Sequence, residues 1–180
     1  CGAENAALVV WDPRLRMSQV VTPRADPGIV QEYGSYWWQH DLTAQTTARM
    51  APGVITDLSD TGRERFFGST FYNEYWKRSG LGAERLASNI FTDGTAFGSI
   101  VLQASQRTDE IGAEARDRFG SLLPHVVRAV RAARRMRYLE LAATAGFDRE
   151  GDGLMLVDGH GRILLADAGA EAVLAQTRIL

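Results

Sequence analysis

The residues that could do chemistry are few, and they are scattered. The three histidines, His40, His125 and His160, have no helical or turn spacing between any two of them. A metal site of the common kind, with paired ligands on one helix face or turn, is therefore not expected. The lone cysteine, Cys1, rules out an internal disulfide and a cysteine-ligated zinc site. No nucleophile elbow, phosphate loop or triad spacing occurs. Gly159-His160-Gly161 sits in a hairpin turn without the glycine and helix N-terminus that a phosphate cradle needs. Acid pairs such as Asp109-Glu110 and Glu150/Asp152 read as caps or solvated turns. Neither catalytic residues nor a cofactor nor a metal is expected.

What stands out instead is ring density. Tyr33, Tyr36, Trp37, Trp38, Phe66, Phe67, Phe71, Tyr72, Tyr75 and Trp76 lie within about a quarter of the chain. Such side chains offer large apolar area with a few polar tips, the composition of a small-molecule pocket. Tyr33, Tyr36, Trp37, Phe71, Tyr72 and Tyr75 are the candidate ligand-binding residues, for an apolar or aromatic compound. The alternative is that the rings only fill a core between helices and sheet.

A second feature is a stripe. Phe119, Leu122, Val126, Ala129, Ala133 and Met136 alternate steps of three and four, the spacing of a helix that buries a seam against a partner, so homodimerisation is expected through them. Arg128, Arg131, Arg134, Arg135 and Arg137 accompany it. They read as a wet flank whose stems cover the seam more readily than as a phosphate-binding surface.

These features need elements to carry them. Ala6–Trp11 reads as a strand, with 16–22 as its hairpin partner. Asp26-Pro27 signals a helix start, carrying Ile29, Tyr33 and Trp37 on one face. Thr61-Gly62-Arg63-Glu64 has capping-box spacing before Phe66-Phe67. A second aromatic helix is expected over 70–78, ended by Gly80. Strands over 84–91 and 96–104 flank a turn around Asp93-Gly94. A long helix follows over 113–142, which Pro124 should kink or divide. Strand, turn, strand and helix complete the chain over 153–175. The order predicts an α+β fold, an antiparallel sheet with packed helices.

The 180 residues carry a net charge of −2 with 45% hydrophobic and 23% charged content. That is ordinary for a globular protein and gives no overall nucleic-acid signature. No segment approaches the ~18 apolar residues of a membrane span. The chain opens directly into a strand and stops within a helix, so it reads as a fragment.

The run Leu122-Leu123-Pro124-His125-Val126-Val127-Arg128-Ala129 resembles the helix closing the sensory domain of LuxR-type helix-turn-helix transcription regulators. Tyr33, Tyr36-Trp37, Asp41 and Phe71-Tyr72 follow the order of the middle of that domain. On this resemblance, residues 1–133 are a GAF-like sensory domain lacking its first helix, 134–152 a helical linker, and 153–180 the opening of a PAS-like domain. Asp167 stands where PAS domains carry a typical Asn. The resemblance implies a cytoplasmic, non-catalytic sensory and dimerisation part of a regulator, with the DNA-binding domain beyond residue 180. The sensory domain of a signalling phosphatase or kinase, and a pure dimerisation scaffold, are the alternatives. Tyr33, Tyr36-Trp37 and Asp41 are also similar to the acyl-homoserine-lactone pocket of quorum-sensing LuxR proteins. There a Pro follows the Asp and a downstream Trp completes the pocket. Here Leu42 follows, and no Trp comes after Pro52 until Trp76, which argues against that ligand.

Overall fold

In a computed structural model, which describes residues 3–12, 17–93, 96–144, 153–157 and 161–176, the chain divides into two compact units, Cys1–Val127 and Arg128–Leu180. The first is built on five antiparallel strands: β1 (Ala3–Asp12), β2 (Met17–Val21), β3 (Ile55–Asp57), β4 (Leu81–Asp93) and β5 (Ala96–Ser105), in the order β2-β1-β5-β4-β3. The α+β expectation holds. The turns expected at Asp12-Pro13 and Gly94-Thr95 lie wholly or partly outside the described residues.

Register decides what each strand shows to each side. Leu8 pairs with Ile100 and Val21, Arg85 with Gln103, and Ala87 with Val101. Because side chains alternate, Asn5, Ala7 and Val9 of β1 share a face with Ser99, Val101 and Gln103 of β5 and with Arg85 and Ala87 of β4. Leu86, Ile100 and Leu102 point the other way.

The first face is covered by short helices. In α1 (Pro27–Ser35), the Asp26 carboxylate accepts from the amides of Gly28 and Ile29 at 2.9 and 3.1 Å, so the expected Asp-Pro start is realised. A 3-10 turn (Trp37–His40) and α2 (Leu42–Ala48) follow, then α3 (Leu58–Thr61) and α4 (Arg63–Phe67). The capping box lies one element earlier than its expected place. Asp57 and Asp60 form it at the head of α3, whereas the N-cap of α4 is Gly62, whose φ of +87° marks a sharp break and which has no side chain to cap with. The second aromatic helix is a π-helical turn (Phe71–Tyr75) continued by a 3-10 turn (Trp76–Arg78). Five-residue spacing brings Phe71 beside Trp76, at 5.8 Å, as well as beside Tyr75 at 5.4 Å.

The opposite face is covered by α5 (Ala113–Thr144), one continuous helix through Pro124, so the proline does not divide it. Among its described side chains, Ala115, Phe119, Leu123 and Val127 are buried. Four-residue steps place Phe119 and Leu123 over Leu86, with Ile55, Ile100, Leu102 and Ile111 around them. The stripe expected for a partner is shared out differently. Phe119 belongs to this intramolecular face and Val126 is half-buried, whereas Leu122 and Met136 are 60% and 62% exposed and Ala129 and Ala133 are also exposed.

The second unit contains the end of α5, β6 (Met155–Val157) paired antiparallel with β7 (Ile163–Ala166), and α6 (Ala168–Gln176). Asp167 caps α6 by accepting from Ala170 N at 2.8 Å and ties β6 by accepting from Leu154 N at 2.9 Å. These amide bonds hold its carboxyl below the usual range. Gly153 is required beside them, since a Cβ there would lie 2.2 Å from Ala170 N. Most of the turn around His160 falls outside the described residues. Arg128, Arg131, Arg135 and Arg137 are exposed on α5, with Arg137 reaching Glu140 at 3.4 Å.

Candidate functional site

Between the first sheet face and the helices that cover it lies a cavity of about 70 Å³. That is several times the ~10–15 Å³ a single water requires. Its walls are mostly apolar: Ala7, Val9 and Val101 from the sheet, Val20, Ile29 and Ala44 from around it. Alternation supplies the sheet's share: the inward positions of β1, β4 and β5 that line the cavity are short or polar, whereas Trp11 and Phe97, on the same face, pack on each other and Trp11 on Trp38.

One end of the cavity is polar and held by a run of hydrogen bonds. Asp41 is the N-cap of α2. Its Oδ1 accepts from Thr43 N at 2.9 Å, Ala44 N at 3.1 Å and the Thr43 hydroxyl at 2.6 Å, and its Oδ2 accepts from the Tyr33 hydroxyl at 3.0 Å. The Thr43 oxygen in turn accepts from Arg85 Nη1 at 2.6 Å. A guanidinium and a carboxylate thus meet through one hydroxyl. Burial, reinforced by the Asp41 charge and its hydrogen bond, raises Tyr33 well above the ordinary phenol range, so it is a permanent donor here. Burial pulls the Arg85 pKa down, opposed by the charge of Asp41. A second polar group lies on the sheet, where Asn5 Nδ2 donates to Gln103 Oε1 at 2.7 Å and Thr22 Oγ1 donates to Asn5 Oδ1 at 2.9 Å.

The ring cluster stands partly behind this cavity. Of the six expected ligand residues, Tyr33 and Tyr75 line it. Tyr75 donates to Ile29 O at 2.9 Å and stacks on Trp37 at 5.5 Å. Phe71 is buried among Tyr33, Phe66 and Trp76, and Tyr72 packs on Phe66 and Phe67. Tyr36 is 53% exposed, against Trp37 and His40. The rings therefore divide between cavity wall, packing and surface.

Sequence reasoning passed over Arg85, Thr43, Asn5 and Gln103 as site residues. Glu84-Arg85 in a strand offers two charges and no local signal of which turns inward. The neighbours mislead: Leu86 and Ile90 make the other parity look like the core side, yet both parities are buried.

Among the described residues no three His, Cys, Asp or Glu side chains gather as a metal site, and no helix is long and apolar enough to cross a membrane. No family model and no curated protein matches the chain. Among solved structures, the fold is similar to that of the VqsR LBD domain from Pseudomonas aeruginosa. The TM-score is 0.56 and the identity 21%, over 70% of this chain and 74% of that one. At that identity the likeness is one of fold.

Proposed function

We propose that this chain is the non-catalytic sensory part of a LuxR-type transcription regulator, and that the cavity is its ligand site. The observation that carries the reading is the cavity itself, apolar in its walls and organised at one end by Tyr33, Asp41, Thr43 and Arg85. The fold neighbour, named as a ligand-binding domain, and the Leu-Leu-Pro-His run support it. On the same reading residues 1–133 are the GAF-like sensor, 134–152 the linker and 153–180 the start of a PAS-like domain. The DNA-binding domain lies beyond residue 180, and the regulator is cytoplasmic. Occupancy biases one packing of the covering helices, and the long helix passes that bias on.

A broad thermal-shift screen on the purified chain tests the ligand site. At least one apolar or aromatic compound should stabilise saturably, and Ala44→Leu, which fills the cavity, should abolish that shift while the free protein stays folded. No stabilising compound, or a shift indifferent to Ala44→Leu, would remove the sensor reading in favour of a scaffold.

Homodimerisation through α5 belongs to the same proposal, supported by the exposed apolar side chains of Leu122, Met136 and Leu139. Leu122→Asp should give monomers in light scattering without loss of fold. A monomeric parent at tens of micromolar would end the idea.

A further inference from the structure

Along one line of α5 the residue type changes abruptly. Ala115, Phe119, Leu123 and Val127 follow one another at four-residue steps and are buried. The next two positions on that line are Arg131 and Arg135, both exposed. With Arg128, Arg134 and Arg137 they place five guanidinium groups within ten residues, and no acidic residue stands between Asp117 and Glu140. Ten residues span about 15 Å of helix. A turn of about 100° per residue spreads the five over roughly half the circumference, with Arg128 and Arg137 at the borders and Arg131, Arg134 and Arg135 between them. The other half carries Ala129, Ala132, Ala133 and Met136. Only the two border arginines adjoin that apolar side, so most of the run is turned away from it. A dimer joined there leaves both cationic sides outward.

We propose that the arginine-bearing half of α5 docks on the phosphate backbone of a DNA duplex, with the helix in the major groove and without choice of sequence. The shape of the arc selects the partner. A flat surface, such as an acidic protein patch or an anionic bilayer, meets one stripe of a helix, whereas a groove flanks it on both sides. The major groove of B-form DNA is about 12 Å wide and admits an α-helix, while that of A-form RNA is too narrow. Border arginines then face phosphates on the two walls, and each planar fork can donate two parallel hydrogen bonds to a phosphate. Against a bilayer, the opposite side offers mainly alanines, without the bulky apolar residues that enter a lipid surface. The chain as a whole is net −2, so the attraction is local, acting within about 10 Å at 0.1 M salt. The inference is independent of the ligand-site reading and adds to the regulator reading a second contact with DNA.

The test titrates the full chain into a short labelled DNA duplex and follows fluorescence anisotropy between ~50 and ~200 mM salt. Binding in the range of about 10⁻⁴–10⁻⁶ M is expected, indifferent to sequence, with log affinity falling against log salt by about 0.9 for each phosphate contacted. Arg131→Gln/Arg135→Gln, two exposed changes to a good helix former, should flatten that slope by about two and leave the melting temperature unchanged. Arg49→Gln/Arg107→Gln removes the same charge from exposed positions elsewhere and should keep the parent slope. An equal loss in this control pair would reduce the effect to overall charge and overturn the site. Equal affinity for duplex RNA, polyglutamate or phosphatidylserine vesicles would overturn the groove. Absence of DNA binding at ~50 mM salt would sink the inference alone, leaving the regulator reading to the thermal-shift screen.

Discussion

The two faces of the five-stranded sheet are made from alternate residues of the same strands and are packed by opposite rules. Toward α5, Leu86, Ile100 and Leu102 meet Phe119 and Leu123, aliphatic and aromatic side chains that interdigitate. Around the cavity on the side of the short helices the strands present Asn5, Ala7, Arg85, Ala87, Ser99 and Gln103, which are too small or too polar to close the space. The bulk on that side comes from Trp11 and Phe97 of the strands and from rings on α1, α4, the π-helical turn and the 3-10 turn that continues it. Those rings pack edge to face or tilted on one another, with Phe66, Phe71 and Trp76 buried. One face is thus a filled core that holds a long helix, and the other is a vault with a polar end. A single sheet can afford both because alternation makes its two faces independent in composition.

Breaking the filled face should have the largest effect. Leu123→Ala should cost about 2–5 kcal/mol in denaturant unfolding, since Leu123 is almost fully buried and the void cannot collapse. Val101→Ala on the cavity face should cost only about 1 kcal/mol, because it enlarges a space that already exists. Equal losses would mean that the cavity face is as tightly packed as the other, and the contrast would fail.

Next comes the polar end of the vault. Thr43→Val keeps the shape of the side chain but removes the hydroxyl joining Arg85 Nη1 to Asp41 Oδ1. A loss of about 1–3 kcal/mol is expected, from two buried groups left short of a partner. A neutral substitution would show that the relay contributes nothing to the fold.

The smallest effect concerns the edge where the two layers meet the same residue. Asp57 caps α3 through Ser59 N at 2.8 Å and pairs with Arg116 of α5. Burial pushes its carboxyl up, but the hydrogen bonds from Ser59 and the Arg116 charge outweigh this and leave it below the ordinary value of 3.8. A carboxyl depressed in the folded state contributes fully above its unfolded value, about 3.9, and loses that contribution as pH falls through the lower folded one. Asp57→Ala should therefore cost about 0.5–2 kcal/mol at pH 7. Parent and variant stabilities should converge as pH falls through the lowered folded-state value; a difference that persists in acid would assign the effect to packing instead.

Much of the framework was legible because its signals are local. The Asp26-Pro27 start, the hairpin of β4 and β5, the long helix and the closing strand-turn-strand-helix each rest on residues within a few positions of one another. The capping box was misplaced because Thr61 has the right side chain but Gly62 turns the chain left-handed after it, a choice of backbone that spacing does not encode. Of the candidate site, Tyr33 and Tyr75 were found by ring density, which counts side chains and not the direction they face.

What the amino-acid order alone determined is most of the elements, without β3, α2 and α3, and the fact that one stretch of the chain is rich in aromatic side chains. Hydrophobic period, caps and turn residues act between neighbours, so they survive without knowledge of the fold. Which face each strand turns inward was decided only in three dimensions. When both faces of a sheet are covered, either parity is compatible with the local pattern. Arg85 became a buried donor beside Thr43, 42 residues away, because register aligned β4 with β5 and the cap at Asp41 brought α2 across them. Contacts of that separation arise from the joint packing of several elements, and no window of the sequence contains them.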